Sequence, residues 1–212
     1  FAPEAPYNAD NDLLLRIAAN SKVAEAYYLA EATTDKEAHI ASMGKDGYMD
    51  YVIKNGTKIE GLSGASDSDV TVTGMVGEYI ITVVAVNGND KMATETTFTG
   101  LKWESIGIGM LSSSFFGGEG ECEFYKASPV LKYKAIGPFE EGYDIVFDVA
   151  DNNSVTVAQQ AVYSSYGSYG TLYVSGNGAL QSNKITVNLT FRVSAGVFGA
   201  FTETFILPVT EP

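Results

Sequence analysis

The chain has 212 residues, of which 45% are hydrophobic and only 18% charged. Such a composition excludes a disordered or fibrous chain and gives room for two modest domains. The net charge of −13, with no cluster of Lys or Arg, disfavours a nucleic-acid backbone or an anionic membrane surface as partner.

A single cysteine, Cys122, excludes an internal disulfide and Cys-rich zinc sites. No run approaches the ~18–20 apolar residues of a transmembrane helix. The chain opens on Phe1, and residues 1–12 read as an extended linker. The expectation is a signal or lipid anchor upstream of this point, removed from the chain.

Alternation of apolar and polar residues dominates the first half. Strands are expected at 13–17, 22–32 and 70–73. Residues 79–86 are apolar on both faces, as in a strand covered on both sides. The turn Asn87-Gly-Asn-Asp90 leads to a closing strand at 94–99. One short helical insertion interrupts the pattern. Thr34-Asp-Lys-Glu37 has the form of a capping box, Gly44 can end the helix, and a second turn or two is expected over 48–54. Residues 61–69 read as a loop.

Gly100 marks the expected boundary between a domain over 1–100 and a second over 101–212. Eight strands are expected beyond it, at 103–111, 121–127, 131–136, 143–150, 154–162, 170–175, 184–193 and 201–207. The clearest is the seventh, where Ile185, Val187, Leu189, Phe191 and Val193 alternate with Lys184, Thr186, Asn188, Thr190 and Arg192. The second domain is therefore an antiparallel eight-strand sandwich or barrel, and the fold class is all-β.

Residues 70–90, followed by Thr97-Phe-Thr99, resemble the last third of a fibronectin type III domain, with Tyr79 at the position of the tyrosine whose hydroxyl ties a corner of that fold. The resemblance spans about residues 8–100, with the helical insertion as a departure, and implies an Ig-like sandwich without implying an activity. Trp103-Glu-Ser-Ile-Gly-Ile-Gly109, then Glu123 to Ser128 and Tyr133 to Phe139, resemble a β-domain of surface and secreted lipoproteins of gut Bacteroidetes. That resemblance implies a non-catalytic protein of the cell envelope, at the outer-membrane surface or in the periplasm.

No residue pattern nominates an enzyme. His39 is the only histidine, and Cys122 has acidic sequence neighbours. Glu119, Glu121 and Glu123 spread along one strand face, while Glu140 and Glu141 sit in a turn. All five read as solvated carboxylates rather than a glycosidase pair. Asn8, Asp10 and Asp12, Asp67 and Asp69, and Asp148 with 151–153 lack EF-hand spacing and read as turn chemistry. No metal or cofactor is expected.

The most distinctive stretch is residues 163–173, where Tyr163, Tyr166 and Tyr169 are separated only by Ser and Gly. Such rings make adaptable recognition surfaces and stack on sugar faces. These three tyrosines are the expected ligand-contacting residues, for a glycan or a surface protein. A spacer or assembly subunit without a ligand is the alternative, with a glycan-active enzyme behind it.

Overall fold

The computed structural model describes residues 6–209. The chain is mostly β, with 57% strand and 13% helix, and the helical share stays below the fifth that the alternating pattern leads one to expect. It divides into two compact units, Phe1–Lys102 and Trp103–Pro212. The division lies two residues beyond Gly100. Gly100 itself is buried, and a Cβ there would stand 1.8 Å from the Met75 carbonyl oxygen.

In the first unit β1 (Leu13–Ala18) pairs antiparallel with β4 (Asp67–Val72). A separate four-stranded sheet runs in the order β3 (Thr57–Lys58), β2 (Glu25–Ala32), β5 (Gly77–Asn87), β6 (Asp90–Gly100). One face of this sheet presents Ala26, Tyr28, Ile81 and Val83, which pack on Ile17, Val70 and Val72 of the β1–β4 ribbon. The other face presents Tyr27, Leu29 and Val84, covered by Tyr48 and Val52 of helix α1 (Thr33–Asn55). Two-sided cover explains why residues 81–84 are all buried.

The helical insertion is therefore not short. It runs 23 residues, broken at Gly44, whose φ of 72° and ψ of 174° no helix accommodates. The capping box does not form either. Ala32 occupies the N-cap without a side-chain hydrogen bond, and Thr34 lies inside the helix rather than at its cap. Residues 8–12 are not an extended linker. The Asn11 side chain donates to the carbonyls of Met75 and Leu101, at 2.9 and 2.8 Å, and Asp12 accepts from the backbone of Asn8 and Gly74. Residues 1–5 lie outside the described residues.

The second unit is a closed barrel of eight strands: β7 (Lys102–Ser113), β8 (Gly118–Ser128), β9 (Lys132–Ala135), β10 (Ile145–Val149), β11 (Ser154–Tyr163), β12 (Leu172–Gln181), β13 (Lys184–Val193) and β14 (Gly196–Ile206). Each strand neighbours the next in sequence, and β14 closes on β7 through pairs such as Glu203 with Ser113 and Phe205 with Leu111. Closure removes most of the free edge that an open sandwich would leave, although β9 pairs only with the second half of β8. The interior is packed rather than hollow: Phe124, Phe147, Phe191 and Phe205 are fully buried there. On β13 the apolar residues face in and Lys184, Asn188 and Arg192 face out, the reverse of a barrel wall that faces lipid. Among the described residues no helix is long and apolar enough to cross a membrane.

Candidate functional site

In a barrel whose strands follow one another around the wall, successive connections alternate between its two ends. The β7–β8, β9–β10, β11–β12 and β13–β14 connections therefore share one end. Each brings aromatic rings to it: Phe115 and Phe116 from the first, Phe139 from the second, Tyr163, Tyr166 and Tyr169 around the third, and Phe198 just past the fourth.

These rings touch in one continuous cluster built on the core. Phe115 stacks on buried Phe191, with centroids 4.0 Å apart and planes within 6°, and meets Phe201 edge-on at 5.0 Å. Phe116 lies 4.8 Å from Phe139 and 6.1 Å from Tyr163. Tyr166 lies 5.4 Å from Phe198, which in turn meets Tyr169 at 5.7 Å. Such edge-to-face contacts suit the ring quadrupoles. The outer members remain in water, with Phe116 40%, Phe198 39% and Tyr169 54% exposed.

The three expected tyrosines thus lie together, but on unequal terms. Tyr163 and Tyr166 are half-buried against the barrel core, and only Tyr169 is exposed. Their loop is not a loose frame. Tyr166 N–H donates to the Gly170 carbonyl at 2.9 Å, Tyr169 N–H to the Tyr166 carbonyl at 3.1 Å, and the Thr171 hydroxyl to the Ser164 carbonyl at 3.2 Å. A 3₁₀ turn at Gly167–Tyr169 fills the bend, which Gly167 and Gly170 permit by their positive φ values of 58° and 79°.

Two carboxylates hold the loops in place. Glu140 accepts from the Ser164 hydroxyl at 2.9 Å and from the Ser164 N–H, tying the β9–β10 loop to the β11–β12 loop. Glu203 is fully buried on the inner face of β14, between Phe201 and Phe205. Its Oε1 accepts from Phe115 N–H at 3.0 Å and from the Ser114 hydroxyl at 3.4 Å, while its Oε2 has no hydrogen-bond partner. Glu203 thereby positions the connection that carries Phe115 and Phe116. Beside this connection a cleft of about 240 Å³ opens between Phe116, 118–120 and Pro138–Phe139.

The remaining residues singled out in the sequence lie elsewhere. His39 sits on α1 and pairs with Glu31 at 2.7 Å rather than with a nucleophile. Cys122 is buried in the barrel, where burial pushes its thiol up to about 11. Glu119 and Glu121 are exposed, and Glu123 accepts from the Ser105 hydroxyl at 2.7 Å. Asn152 caps its own turn through Ser154, and Asp69 pairs with Arg16. The Trp103 ring lies 4.2 Å from the Lys134 ammonium. Among the described residues no three His, Cys, Asp or Glu side chains are placed to hold a metal ion.

The phenylalanines of the site escape a reading that follows the tyrosines alone. Ser-Ser-Ser-Phe-Phe-Gly-Gly, over 112–118, is a signal of the same kind, since two adjacent rings between small residues cannot both follow strand alternation. No family model matches the chain, and no curated protein or solved structure matches it.

Proposed function

We propose that this protein is a non-catalytic binding module of a bacterial cell envelope, and that it recognises its ligand, a glycan or a surface protein, through the aromatic end of the barrel. The observation that carries this reading is the continuity of the rings: exposed Phe116, Tyr169 and Phe198 are joined through half-buried Tyr166 into one cluster, not scattered as single side chains. Contiguous apolar surface is held exposed at a cost in water and is characteristic of interaction sites. A stalk or spacer has no need of it. The Tyr hydroxyls and the Ser side chains of the same loop supply the polar groups that orient a ligand.

In this reading the first unit is a carrier. Its likeness to a fibronectin type III module is supported by the packing of the β1–β4 ribbon against one face of the larger sheet, to which Tyr79 of β5 contributes its ring but, among the described residues, no hydroxyl tie. The likeness does not extend to α1, which covers the opposite face. Envelope location rests on the resemblance that begins at Trp103.

The test is a glycan array, run beside a panel of purified surface proteins, followed by calorimetry on each hit. A Tyr166→Ala, Tyr169→Ala double variant should lose binding with its melting temperature within a few degrees of the parent. Full binding by that variant, or no hit in either panel, would overturn the reading.

A further inference from the structure

The barrel closes incompletely at β8. Pairing with β9 covers only Phe124, Tyr125 and Lys126 in register with Ala135, Lys134 and Tyr133. The last bond of this seam runs from Ile136 N–H to the Glu123 carbonyl at 2.9 Å. After it the chain turns away into the β9–β10 loop, where Gly137 N–H donates to Asp144 and Tyr143 N–H to the Glu140 carbonyl. Residues 118–122 therefore remain a strand on the β7 side and an open edge on the other. Because the Glu123 carbonyl points to that edge, the two-residue repeat directs the N–H and C=O of Glu121 and Glu119 the same way. These backbone groups have no β9 partner among the described residues.

Two further features complement the edge. The residues facing the barrel interior are glycines: a Cβ at Gly118 or Gly120 meets nothing within 4 Å, and the cleft bounded by Phe116 and Phe139 lies beside them. The residues facing outward are Glu119 and Glu121, both exposed and without a hydrogen-bonding or ion-pair partner among the described residues. The loops that surround this end, over 114–117, 136–144, 164–171 and 194–195, contain Glu140, Glu141 and Asp144 but no Lys or Arg.

We infer that residues 118–122 form a docking edge for an extended polypeptide partner in which basic residues alternate with apolar ones. The partner adds as one more strand, its main chain pairing with Glu119 and Glu121. Side chains directly opposite one another across a strand pair share a face. Those opposite Glu119 and Glu121 point outward and are the basic ones. Those opposite Gly118 and Gly120 point inward, fill the space the glycines leave and meet Phe116 and Phe139. The inference goes beyond the binding reading above: it places a second docking site, for a different partner, at the same end of the barrel, on residues other than the tyrosines.

Acidic residues on a free edge also serve simply to repel chance strand pairing, and the experiment separates the two roles. A labelled, end-capped peptide of alternating lysine and valine is titrated by fluorescence anisotropy against the full chain. Controls are a peptide of the same composition with its lysines and valines in two blocks, and an alternating glutamate and valine peptide. The alternating lysine peptide should bind about tenfold or more tighter than either control. A Glu119→Lys, Glu121→Lys double variant should prefer the glutamate peptide instead. Both positions are exposed, so the fold should persist, and circular dichroism verifies it. Equal binding of the alternating and blocked lysine peptides, or an unchanged preference in the charge-reversed variant, would overturn the edge assignment. The Tyr166→Ala, Tyr169→Ala variant should keep the peptide within about twofold. If it loses the peptide, the tyrosine surface and not the β8 edge is the docking site. If the peptide binds at the edge while no ligand depends on the tyrosines, only the tyrosine surface fails.

Discussion

The hydroxyl of Tyr48, on helix α1, donates to Oε2 of Glu31, on strand β2, at 2.5 Å. Both residues are buried. The other oxygen of Glu31 receives His39 Nδ1 at 2.7 Å, and the Tyr48 oxygen also lies 3.3 Å from the Thr82 hydroxyl of β5. Close by, buried Lys36 reaches Glu95 of β6 at 2.5 Å. The helix is thus fixed to three strands of the sheet by polar contacts within an otherwise apolar interface.

Removing one member of such a network leaves its partner buried and unpaired. Tyr48→Phe should destabilise the first unit by about 1–3 kcal/mol, read as a lower denaturation midpoint with an unchanged denaturant slope. A midpoint equal to the parent's would show that the Glu31 carboxylate finds another donor.

The same tyrosine gives a pH signature. Burial, and secondarily the bond to Glu31, raise the Tyr48 hydroxyl above its ordinary value. The folded state then holds this proton where the unfolded chain has released it. The stabilisation is complete below about pH 10, the ordinary tyrosine value, and is lost as pH rises beyond it toward the folded value. Stability measured from pH 8 to 12 should fall more steeply for the parent than for Tyr48→Phe. Parallel curves would remove Tyr48 as the source of the alkaline slope.

None of this network is visible in the sequence. Glu31, Tyr48 and Thr82 are separated by 17 and 34 residues, and no local pattern brings them together. The apolar strand at 79–86 was legible because its two-sided cover leaves a continuous apolar run. The barrel's β13 was legible because one face meets core and the other water. Strand β12 was half hidden. It runs Leu172–Gln181, yet the expected strand stops at Ser175, where Gly176-Asn-Gly178 follows. Those glycines mark close approach to β13, with a Cβ on Gly176 falling 2.0 Å from the Asn188 carbonyl oxygen. The tyrosines of the site stood out by composition, but the phenylalanines beside them become one surface only through barrel closure.

Glu203 gives a prediction about the site itself. Its Oε1 anchors Phe115 N–H, and its Oε2 is unsatisfied. Glu203→Gln keeps an oxygen for the Phe115 amide and should stay within about 1 kcal/mol of the parent. Glu203→Ala loses the anchor and opens a cavity beneath the rings, so it should cost about 2–4 kcal/mol. Chemical denaturation of the two variants decides the matter. Equal stabilities would mean that the β7–β8 connection is held by its stacked phenylalanines alone.

Cys122 should be inert in the folded protein. Its thiol is buried and pushed up to about 11 by that burial, so at neutral pH little thiolate exists to react. A colorimetric thiol reagent should label it only after denaturant is added. Rapid labelling of the native protein would place Cys122 at an opening of the barrel wall.

Two glycine substitutions in the barrel should have opposite outcomes for a single physical reason, the space around an added Cβ. At Gly178 the new carbon would stand 1.9 Å from the Thr186 carbonyl oxygen and 2.6 Å from the Val187 Cα. Both are backbone atoms of a central strand and neither can swing aside. Gly178→Ala must therefore push β12 from β13, at a cost of about 1–3 kcal/mol or more. At Gly120 nothing lies within 4 Å, and the φ value is not in the left-handed region. Gly120→Ala narrows the unfolded ensemble without strain, so it should be neutral or stabilising by up to about 1 kcal/mol. Thermal melts of the two variants should bracket the parent, with Gly178→Ala below it. If Gly120→Ala melts as low as Gly178→Ala, the edge at residues 118–122 is closed in solution, and the room assigned there to a partner's side chains is absent.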